Sequence, residues 1–385
     1  MFDTRPGSPF QRVFYWFAWS LLSVPWSLMF RWKFGFADLP KDRPFLLLSN
    51  HTSLYDPFWS AFWIGRRATF MASAALFRVP VLRWLLPLCG CFPKAKYVKD
   101  RDSMAFLAER YQAGDVIMIF PEGVRSWDGR PGKVGAGIGR LVKRLDAEVV
   151  VSRVLNGHLY QPRWARYPRW LPVRIEHELL KLDTSASAEE LTEQIAAALH
   201  IDHAIQAPPR SIGWRMAHGF PAFLWACPSC FALEGLKVDP NDGDSVTCTR
   251  CQSRWTLDTS NRMNGATPML VTEAIDRVRA HFDSPPRASA DRLEADSVAL
   301  ESASARLRHL VSGQPSAHVD EGPVRLTRGV LQVGETRFAL DQIHAVSVEV
   351  ANMLTFRVDE ALYRLEVGDE STLKWAHFLK GWTEA

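Results

Sequence analysis

The chain opens with a long apolar run and continues with short buried-strand patterns that alternate with helical ones. Residues Val13 to Phe30 form 18 positions without a charge, bracketed by Arg12 and Arg31. That length is near the minimum for a bilayer span, but the run also contains Pro25 and four Trp or Tyr rings, which prefer the headgroup zone. We therefore expect residues 1–34 to be a membrane-associating helical segment, either re-entrant or interfacial or fully crossing. An ordinary buried helix is the alternative.

An α/β pattern begins at Pro44. Three apolar runs that fit buried strands are separated by helical stretches, and each run ends in a polar or glycine-containing motif. The carboxyl ends of parallel strands share one sheet edge, so this order predicts a mostly parallel sheet with flanking helices and a site at that edge. We assign this domain to residues 35–207, with a helix around Ala188 to Leu199 near its end. The three predicted strands are Phe45 to Leu48, Val116 to Phe120 and Val149 to Leu155.

The second half of the chain divides into smaller units. Two Cys-x-x-Cys pairs mark a module over residues 225–258. A helical linker region is predicted over residues 266–312, with helices from Pro268 to Phe282 and from Asp291 to Val311 around a Ser-Pro-Pro breaker.

The C-terminal region switches to short alternating strands. These run from Val324 to Val367 with turns between them. The last segment returns to helical spacing, with Trp375, Phe378 and Leu379 on one face. We expect residues 322–385 to form an all-β, barrel-like domain with one terminal helix, similar to a pleckstrin-homology domain.

Charge is divided unevenly between the two halves. Residues 1–205 carry 27 Lys and Arg against 19 Asp and Glu, whereas the remaining residues carry 19 against 23. The cations of the first half are scattered among Trp, Phe and Leu, which favours an anionic membrane or a phosphate over a nucleic acid. We expect no nucleic-acid partner, and a location at the cytoplasmic face of the cell membrane.

The densest chemical pattern runs from Asn50 to Asp56 and reads Asn-His-Thr-Ser-Leu-Tyr-Asp. His51 and Asp56 can meet only if the histidine lies in the loop after the strand and the aspartate lies in the first turns of the helix. The carboxylate would then fix the imidazole tautomer and leave the other nitrogen basic toward a hydroxyl. Such a base without a protein nucleophile suits direct attack of an alcohol on an activated acyl group. A structural histidine is the alternative.

A second motif, Phe-Pro-Glu-Gly-Val-Arg-Ser, follows the strand that ends at Phe120. Arg125 offers a bidentate fork for phosphate, and Gly123 permits close approach of the backbone. Glu122 can serve the same site or form an ion pair that holds the loop. Lys133 is a further candidate for a donor or phosphate contact, and a solvated loop lysine is its alternative.

Together these motifs resemble the glycerolipid acyltransferase family typified by 1-acylglycerol-3-phosphate acyltransferase. The family's first block, Asn-His-x-x-x-x-Asp, is intact, and its third block differs only at Val124, where threonine is usual. The second block corresponds to Gly90 through Lys96, where lysine replaces arginine, so the charge is kept and the fork is lost. The fourth block maps loosely to Val149 to Val154, and Ser152 stands where proline is common.

The resemblance covers roughly residues 35 to 205 and implies an O-acyltransferase. It implies that His51 and Asp56 activate the acceptor hydroxyl and that an acyl-CoA or an acyl-carrier protein is the donor. The acceptor would be lysophosphatidic acid or a related phosphate-bearing lysolipid at a membrane surface, and no redox cofactor is expected. A catalytically inactive phospholipid-binding scaffold is the alternative. The residues implied to hold the substrate are Lys96, Glu122, Gly123 and Arg125.

The cysteine spacing indicates a metal site. Two pairs, Cys227 with Cys230 and Cys248 with Cys251, are separated by 17 residues, as in a zinc ribbon whose two knuckles supply four thiolates. Four protein ligands leave no open coordination position, so we expect a structural zinc that stabilises a module with a small core of its own.

Deleting residues 1–33 tests the predicted membrane segment. The deletion removes the whole apolar aromatic run, so the fraction of protein that sediments with membranes should fall severalfold. Equal sedimentation of the truncated and full-length chains would assign the anchor to another surface.

Overall fold

A computed structural model of the 385-residue chain provides the structure. It describes residues 8–11, 13–17, 20–21, 33–35, 39–62, 64–73, 76–78, 80–94, 101–183, 185–201, 211–265, 267–283, 298–311, 316–350 and 353–383. The chain forms two compact units, the first comprising residues 1–163 and 168–213 and the second comprising residues 164–167 and 214–385.

The N-terminal segment is described only in part. Residues 9–11, 13–17 and 20–21 are helical, and the rest of the predicted run from Val13 to Phe30 lies outside the described residues. Within the described part of the chain, no helix combines the length and apolar character needed to cross a bilayer.

The first unit is built on a mostly parallel sheet of seven described strands. Their order across the sheet is β1-β7-β6-β2-β5-β3-β4. Strand β2 pairs in parallel with β5 on one side and β6 on the other, and β7 runs antiparallel to β6. The predicted α/β class is confirmed. The strands are β1 Lys33–Gly35, β2 Leu46–Ser49, β3 Ala68–Ser73, β4 Cys91–Lys94, β5 Val116–Ile119, β6 Val149–Leu155 and β7 Arg174–Leu179.

Helices cover both faces of this sheet. All four residues of β2 are buried, because Leu46 and Leu48 pack in one apolar cluster and Leu47 packs in another. A strand buried on both faces appears in the sequence as a continuous apolar run, which is why β2 was predictable. The helices are α1 Asp56–Phe62, α2 Pro80–Leu88, α3 Arg101–Gln112, α4 Gly137–Leu145, α5 Gly157–Tyr160 and α6 Ala188–Leu199.

Helix α6 has the bounds that the sequence predicts, because a capping box defines its start. The Glu190 backbone N–H donates to Ser187 Oγ at 3.1 Å, and the Ser187 backbone N–H donates to Glu190 Oε2 at 2.7 Å. These two bonds satisfy amides that the first turn of a helix leaves unpaired.

The second unit contains two antiparallel sheets. The first has five described strands in the order β12-β11-β10-β9-β8 and carries the four cysteines near its end. A short helix, α7 (Phe220–Phe223), precedes this sheet, and α8 (Val271–Asp283) follows it. The strands are β8 Leu236–Val238, β9 Ser245–Cys248, β10 Arg254–Leu257, β11 Arg262–Gly265 and β12 Met269–Leu270.

The second antiparallel sheet has seven described strands in the order β16-β15-β14-β13-β19-β18-β17, followed by helix α9 (Thr372–Thr383). Trp375 and Leu379 of α9 are buried, as their helical spacing predicts. The predicted C-terminal all-β region with one terminal helix is confirmed, and its likeness to a pleckstrin-homology domain stays a prediction. The strands are β13 Val298–Leu310, β14 Ala317–Thr327, β15 Val330–Val333, β16 Thr336–Ala339, β17 Ile343–Val350, β18 Met353–Val358 and β19 Ala361–Glu366.

The helix predicted from Asp291 to Val311 is wrong wherever the structure describes it. Residues Val298–Leu310 form β13, which pairs with β14 and β19. A register shift between Ser302 and Ala305 interrupts the two-residue alternation of buried positions, so the sequence lacks a clear strand period. The segment is also rich in Ala, Leu, Glu and Arg, which favour helix until sheet neighbours decide otherwise.

Helix α4 offers a test of how closely the first unit is packed. A Cβ added at Gly139 would overlap the carbonyl oxygen of Ala188, whereas a Cβ at Gly137 meets nothing within 4 Å. We expect Gly139→Ala to lower the free energy of unfolding by about 1 to 3 kcal/mol, the usual cost of overpacking. Gly137→Ala should be neutral or stabilising, since alanine favours helix. Equal chemical unfolding midpoints for the two variants would contradict the α4–α6 packing.

Candidate active site

The motifs singled out in the sequence meet at the carboxyl ends of three neighbouring strands. His51 follows β2, Glu122 follows β5, and Asn156 follows β6. The Asn50 side chain joins two of these ends: its Nδ2 donates to the Val154 carbonyl at 3.2 Å, and its Oδ1 accepts from the Val154 N–H at 2.8 Å. The amide thereby continues the β2–β6 pairing beyond the last residue of β2.

His51 and Asp56 lie within hydrogen-bond distance. The His51 Nδ1 is 3.1 Å from Asp56 Oδ2, with His51 in the loop and Asp56 as the first residue of α1. An ionised carboxylate only accepts hydrogen bonds, so Nδ1 carries the proton and Nε2 keeps its lone pair. The His51 ring also stacks on Phe120, with ring centroids 4.0 Å apart. The imidazole is therefore fixed in both tautomer and orientation.

Backbone groups of the His51 loop hold the Asp56 carboxylate in place. Its Oδ2 accepts from the backbone N–H groups of Thr52 at 2.6 Å and Ser53 at 2.7 Å, besides the bond to His51. The side chain is fully buried. Three donors meet on Oδ2 and close the loop between β2 and α1, whereas the buried Oδ1 has no hydrogen-bond partner among the described residues.

Burial and charge set the protonation of His51. Burial, the largest influence, lowers the pKa of the imidazole, and the nearby guanidinium groups of Arg125 and Arg163 lower it further. The hydrogen bond and charge of Asp56 raise the pKa in opposition, but the net shift is downward. The imidazole is accordingly neutral at neutral pH, which is the form that can accept a proton.

Glu122 acts on the His51 loop through the backbone. Its Oε1 accepts from the His51 N–H at 3.0 Å, and its Oε2 accepts from the Gly132 N–H at 2.8 Å. A further bond runs from the Ser126 N–H to the His51 carbonyl at 2.9 Å. Both backbone groups of His51 are thus held by the second motif. In this structure both Glu122 oxygens serve the loop, and the sequence-based role of Glu122 in phosphate binding stays a prediction.

Burial also shifts the pKa of Glu122. Loss of hydration raises it to about 7, against the lowering effect of the two backbone hydrogen bonds, and the charge of Asp56 adds to the rise. Glu122 and Asp56 position the loop in different ways: Glu122 accepts one hydrogen bond on each oxygen, and Asp56 accepts three on Oδ2. A pKa of about 7 makes the hydrogen bond between Glu122 and the His51 N–H sensitive to pH.

Gly123 and Arg125 give the second motif its shape and charge. Gly123 has φ +73°, a left-handed conformation that side chains disfavour, and its N–H closes a turn onto the Phe120 carbonyl at 3.0 Å. Arg125 is half-buried, and burial lowers its pKa while the charge of Asp56 raises it. The guanidinium of Arg125 therefore lies in the field of the His51–Asp56 pair.

Arg163 was missed by the sequence interpretation. Its Nη1 donates to the Arg125 carbonyl at 2.8 Å, and its guanidinium lies 4.0 Å from the ring centroid of Trp127. These contacts hold the backbone of the second motif at Arg125. Arg163 lies 38 residues beyond Arg125, outside all the recognised blocks, so no local pattern could have indicated it.

The predicted roles of two cations stay predictions. Lys96 lies outside the described residues, so its place in the substrate site stays a prediction. Lys133 is exposed in the loop before α4, and its contact with the donor or the phosphate also stays a prediction.

The four cysteines of the second unit cluster closely. Their sulfur atoms all lie within 4.8 Å of one another, with 3.7 Å between Cys227 and Cys251 and 3.7 Å between Cys230 and Cys248. These distances exceed a disulfide bond, which is about 2.05 Å. They match the separation of about 3.8 Å expected between thiolates that surround one zinc at about 2.3 Å. The donor set and spacing fit a tetrahedral metal ion.

Part of the first unit is similar in sequence to known acyltransferases. Residues 35–154 match the family model described as Acyltransferase. The chain is 30% identical over 120 residues to a chloroplastic 1-acyl-sn-glycerol-3-phosphate acyltransferase of Brassica napus, and 29% identical over 120 residues to one of Arabidopsis thaliana. Each match covers 30% of this chain and 34% or 33% of the relative. The chain thus spans about a third of the length of these curated relatives.

A solved structure is also similar. The 1-acyl-sn-glycerophosphate acyltransferase of Thermotoga maritima aligns with a TM-score of 0.41 and 20% identity, over 49% of this chain and 76% of that one. The family match and the two sequence relatives identify residues 35–154 as an acyltransferase domain of the glycerolipid acyltransferase family.

The hydrogen bond from the His51 N–H to Glu122 predicts how the reaction rate depends on pH. Below about pH 7 Glu122 is protonated, so one of its oxygens becomes a donor that faces a backbone N–H and the hydrogen bond weakens. We expect kcat/KM to fall as the pH drops through about 7. In Glu122→Gln the rate should be lower, and the remaining acid limb should move below 6.5, where His51 titrates. An acid limb at the same pH in both proteins would contradict this role of Glu122.

Proposed function

We propose that this chain is an O-acyltransferase that moves a fatty acyl group from a thioester donor to a hydroxyl of lysophosphatidic acid or a related phosphate-bearing lysolipid. The observation that carries the proposal is the neutral His51 imidazole whose Nδ1 is held by Asp56. The matched family and the names of the two plant relatives support the reaction class and the acceptor.

The proposed step needs one base and no covalent enzyme intermediate. His51 Nε2 accepts the proton of the acceptor hydroxyl as its oxygen attacks the thioester carbonyl carbon. A carbon–oxygen bond forms, the carbon–sulfur bond breaks, and the proton passes from the imidazole to the departing thiolate. Asp56 stabilises the transient imidazolium, because its Oδ2 lies 3.1 Å from Nδ1.

Arg125 is proposed to bind the acceptor's phosphate. Two other arginines of this unit are neutralised: Arg67 lies 2.5 Å from one Asp115 oxygen, and Arg110 lies 2.6 Å from the other. No carboxylate lies within ion-pair distance of Arg125 among the described residues. A half-buried guanidinium beside the catalytic pair suits a phosphate dianion brought by the substrate.

Apolar residues beside the site suit a lipid. Leu54 lies between His51 and Asp56 and is 56% exposed, and Val124 lies next to Arg125 and is 41% exposed. Exposed apolar side chains at a polar site favour a substrate that has both a charged head and a hydrocarbon chain. With the basic first half, they support work at a membrane surface. We propose the cytoplasmic face of the cell membrane, with acyl-CoA or an acyl-carrier protein as donor.

The cysteine cluster is proposed to hold one structural zinc. Each pair adopts the same turn: the N–H of Phe231 donates to the Cys227 carbonyl at 2.9 Å, and that of Gln252 donates to the Cys248 carbonyl at 3.0 Å. Both Phe231 and Gln252 have positive φ. Two matching knuckles supply four thiolates and leave no open position, so the bound ion would stabilise the fold of the module.

Removing the base should abolish turnover. We expect His51→Ala to lower thiol release by about 10²-fold or more, as loss of a general base does, while vesicle binding is retained.

Lysophosphatidic acid should be the best acceptor in a panel with lysolipids that lack a phosphate monoester, and Arg125→Ala should raise its KM. Full activity of a clean His51→Ala protein would remove the mechanism, and lipid binding without any thioester turnover in the unmodified protein would favour the scaffold.

Metal analysis tests the zinc separately. We expect one zinc per chain, lost in Cys230→Ser together with a cooperative loss of thermal stability. Cys89→Ser, which changes a cysteine of the first unit, should keep the metal and serves as the matched control. A ratio well below one in freshly purified protein would contradict the assignment.

A further inference from the structure

The second unit carries an exposed cluster of cations and aromatic rings. Two segments distant in sequence form it: Tyr167 lies 5.0 Å from Trp214 and 5.6 Å from His218, measured between ring centroids. The Arg166 guanidinium lies 5.8 Å from the Tyr167 ring, and that of Arg215 lies 5.2 Å from the Trp214 ring. We call these five residues the aromatic–cationic cluster.

The backbone holds the two segments together. The Arg166 N–H donates to the His218 carbonyl at 3.1 Å, and the His218 N–H donates to the Arg215 carbonyl at 3.1 Å. The turn is tied to the cysteine-bearing module, because the Ala217 N–H donates to the Gly243 carbonyl at 3.0 Å. The cluster is thus displayed on a fixed turn.

The cluster is partly exposed to solvent, with Tyr167, Arg215 and His218 half-buried and an indole ring that is costly to expose. Trp214 is 60% exposed, and Arg166 is also exposed. Within the described part of the chain, neither Arg166 nor Arg215 lies within ion-pair distance of a carboxylate. Yet residues 206–385 contain more acidic than basic side chains. One carboxylate lies beside the cluster, since the Met216 N–H donates to Asp244 Oδ1 at 2.7 Å, but it pairs with neither guanidinium. The two guanidinium groups therefore stay available to an external anion.

We propose that the aromatic–cationic cluster docks the second unit onto an anionic phospholipid surface. Trp and Tyr rings partition into the headgroup zone, where the ring is apolar and its polar edge stays hydrated. Guanidinium groups beside them match lipid phosphates. A nucleic acid would need a broader cationic surface than this acidic unit offers. The docking is independent of the acyl-transfer proposal, since none of these residues belongs to the active site.

Vesicle partitioning of the full-length protein tests the docking. Each cation near an anionic surface contributes about a fivefold factor in partitioning. Arg166→Ala with Arg215→Ala should therefore lower the partition coefficient on vesicles with 30% phosphatidylglycerol roughly 10-fold to 30-fold, and leave binding to pure phosphatidylcholine vesicles unchanged. Trp214→Ala should weaken binding to both. Every variant keeps the N-terminal segment, so the ratio of its partition coefficient to that of the unmodified protein measures the contribution of the cluster alone.

The matched control removes the same charge elsewhere in the unit. Arg328→Ala with Arg337→Ala takes away two exposed cations that lie outside the cluster and should change anionic partitioning less than threefold. Hydrogen exchange should show vesicle-induced protection at residues 164–167 and 214–218. An equal loss in the control pair would overturn the proposal, as would unchanged partitioning of the cluster variant. Protection by RNA but not by vesicles would assign the cluster to nucleic acid and would also overturn it.

Discussion

One hydrogen bond, from His51 Nδ1 to Asp56 Oδ2, sets the geometry on which the rest of the site depends. A loop alone would not hold it, because five residues of free backbone allow many arrangements. The loop is fixed by groups near three strand ends. Asn50 bonds to the Val154 backbone within β6, Glu122 and Ser126 bond to the two backbone groups of His51, and Asp56 accepts from the Thr52 N–H. The parallel sheet brings these ends together, so the fold supplies the precision that the chemistry needs.

The same arrangement explains how charge is distributed in the site. Asp56 accepts three hydrogen bonds on Oδ2, whereas Glu122 accepts one from a backbone amide on each oxygen, and burial raises the pKa of Glu122 to about 7. Arg125 lies near both carboxylates without an ion pair among the described residues, and Arg163 donates to the Arg125 backbone carbonyl. A site with two ordered carboxylates and an unneutralised guanidinium is arranged for a substrate that brings negative charge and a hydroxyl group.

The elements that could be predicted from the sequence are those whose pattern lies within a few consecutive residues. Strands β2 and β5 are almost wholly apolar because both of their faces are buried, and β6 begins with three buried valines before Ser152 and Arg153. The polar motifs follow directly at the ends of these strands. The register shift in β13 removed that signal, so a strand was taken for a helix. Arg163 and the backbone role of Glu122 depend on contacts across 38 and 71 residues. No spacing rule reports such contacts, and only the folded chain reveals them.

Burial keeps the His51 imidazole neutral, and Asp56 holds its proton on Nδ1. Nitrogen-15 NMR of histidine-labelled protein, with the His51 signals assigned by their loss in His51→Gln, measures this directly. At pH 7 the account predicts a protonated Nδ1, an unprotonated Nε2 and an imidazole pKa below the ordinary 6.5. It also predicts that Asp56→Asn disturbs that tautomer. A proton on Nε2, or a charged imidazolium at neutral pH, would contradict the account.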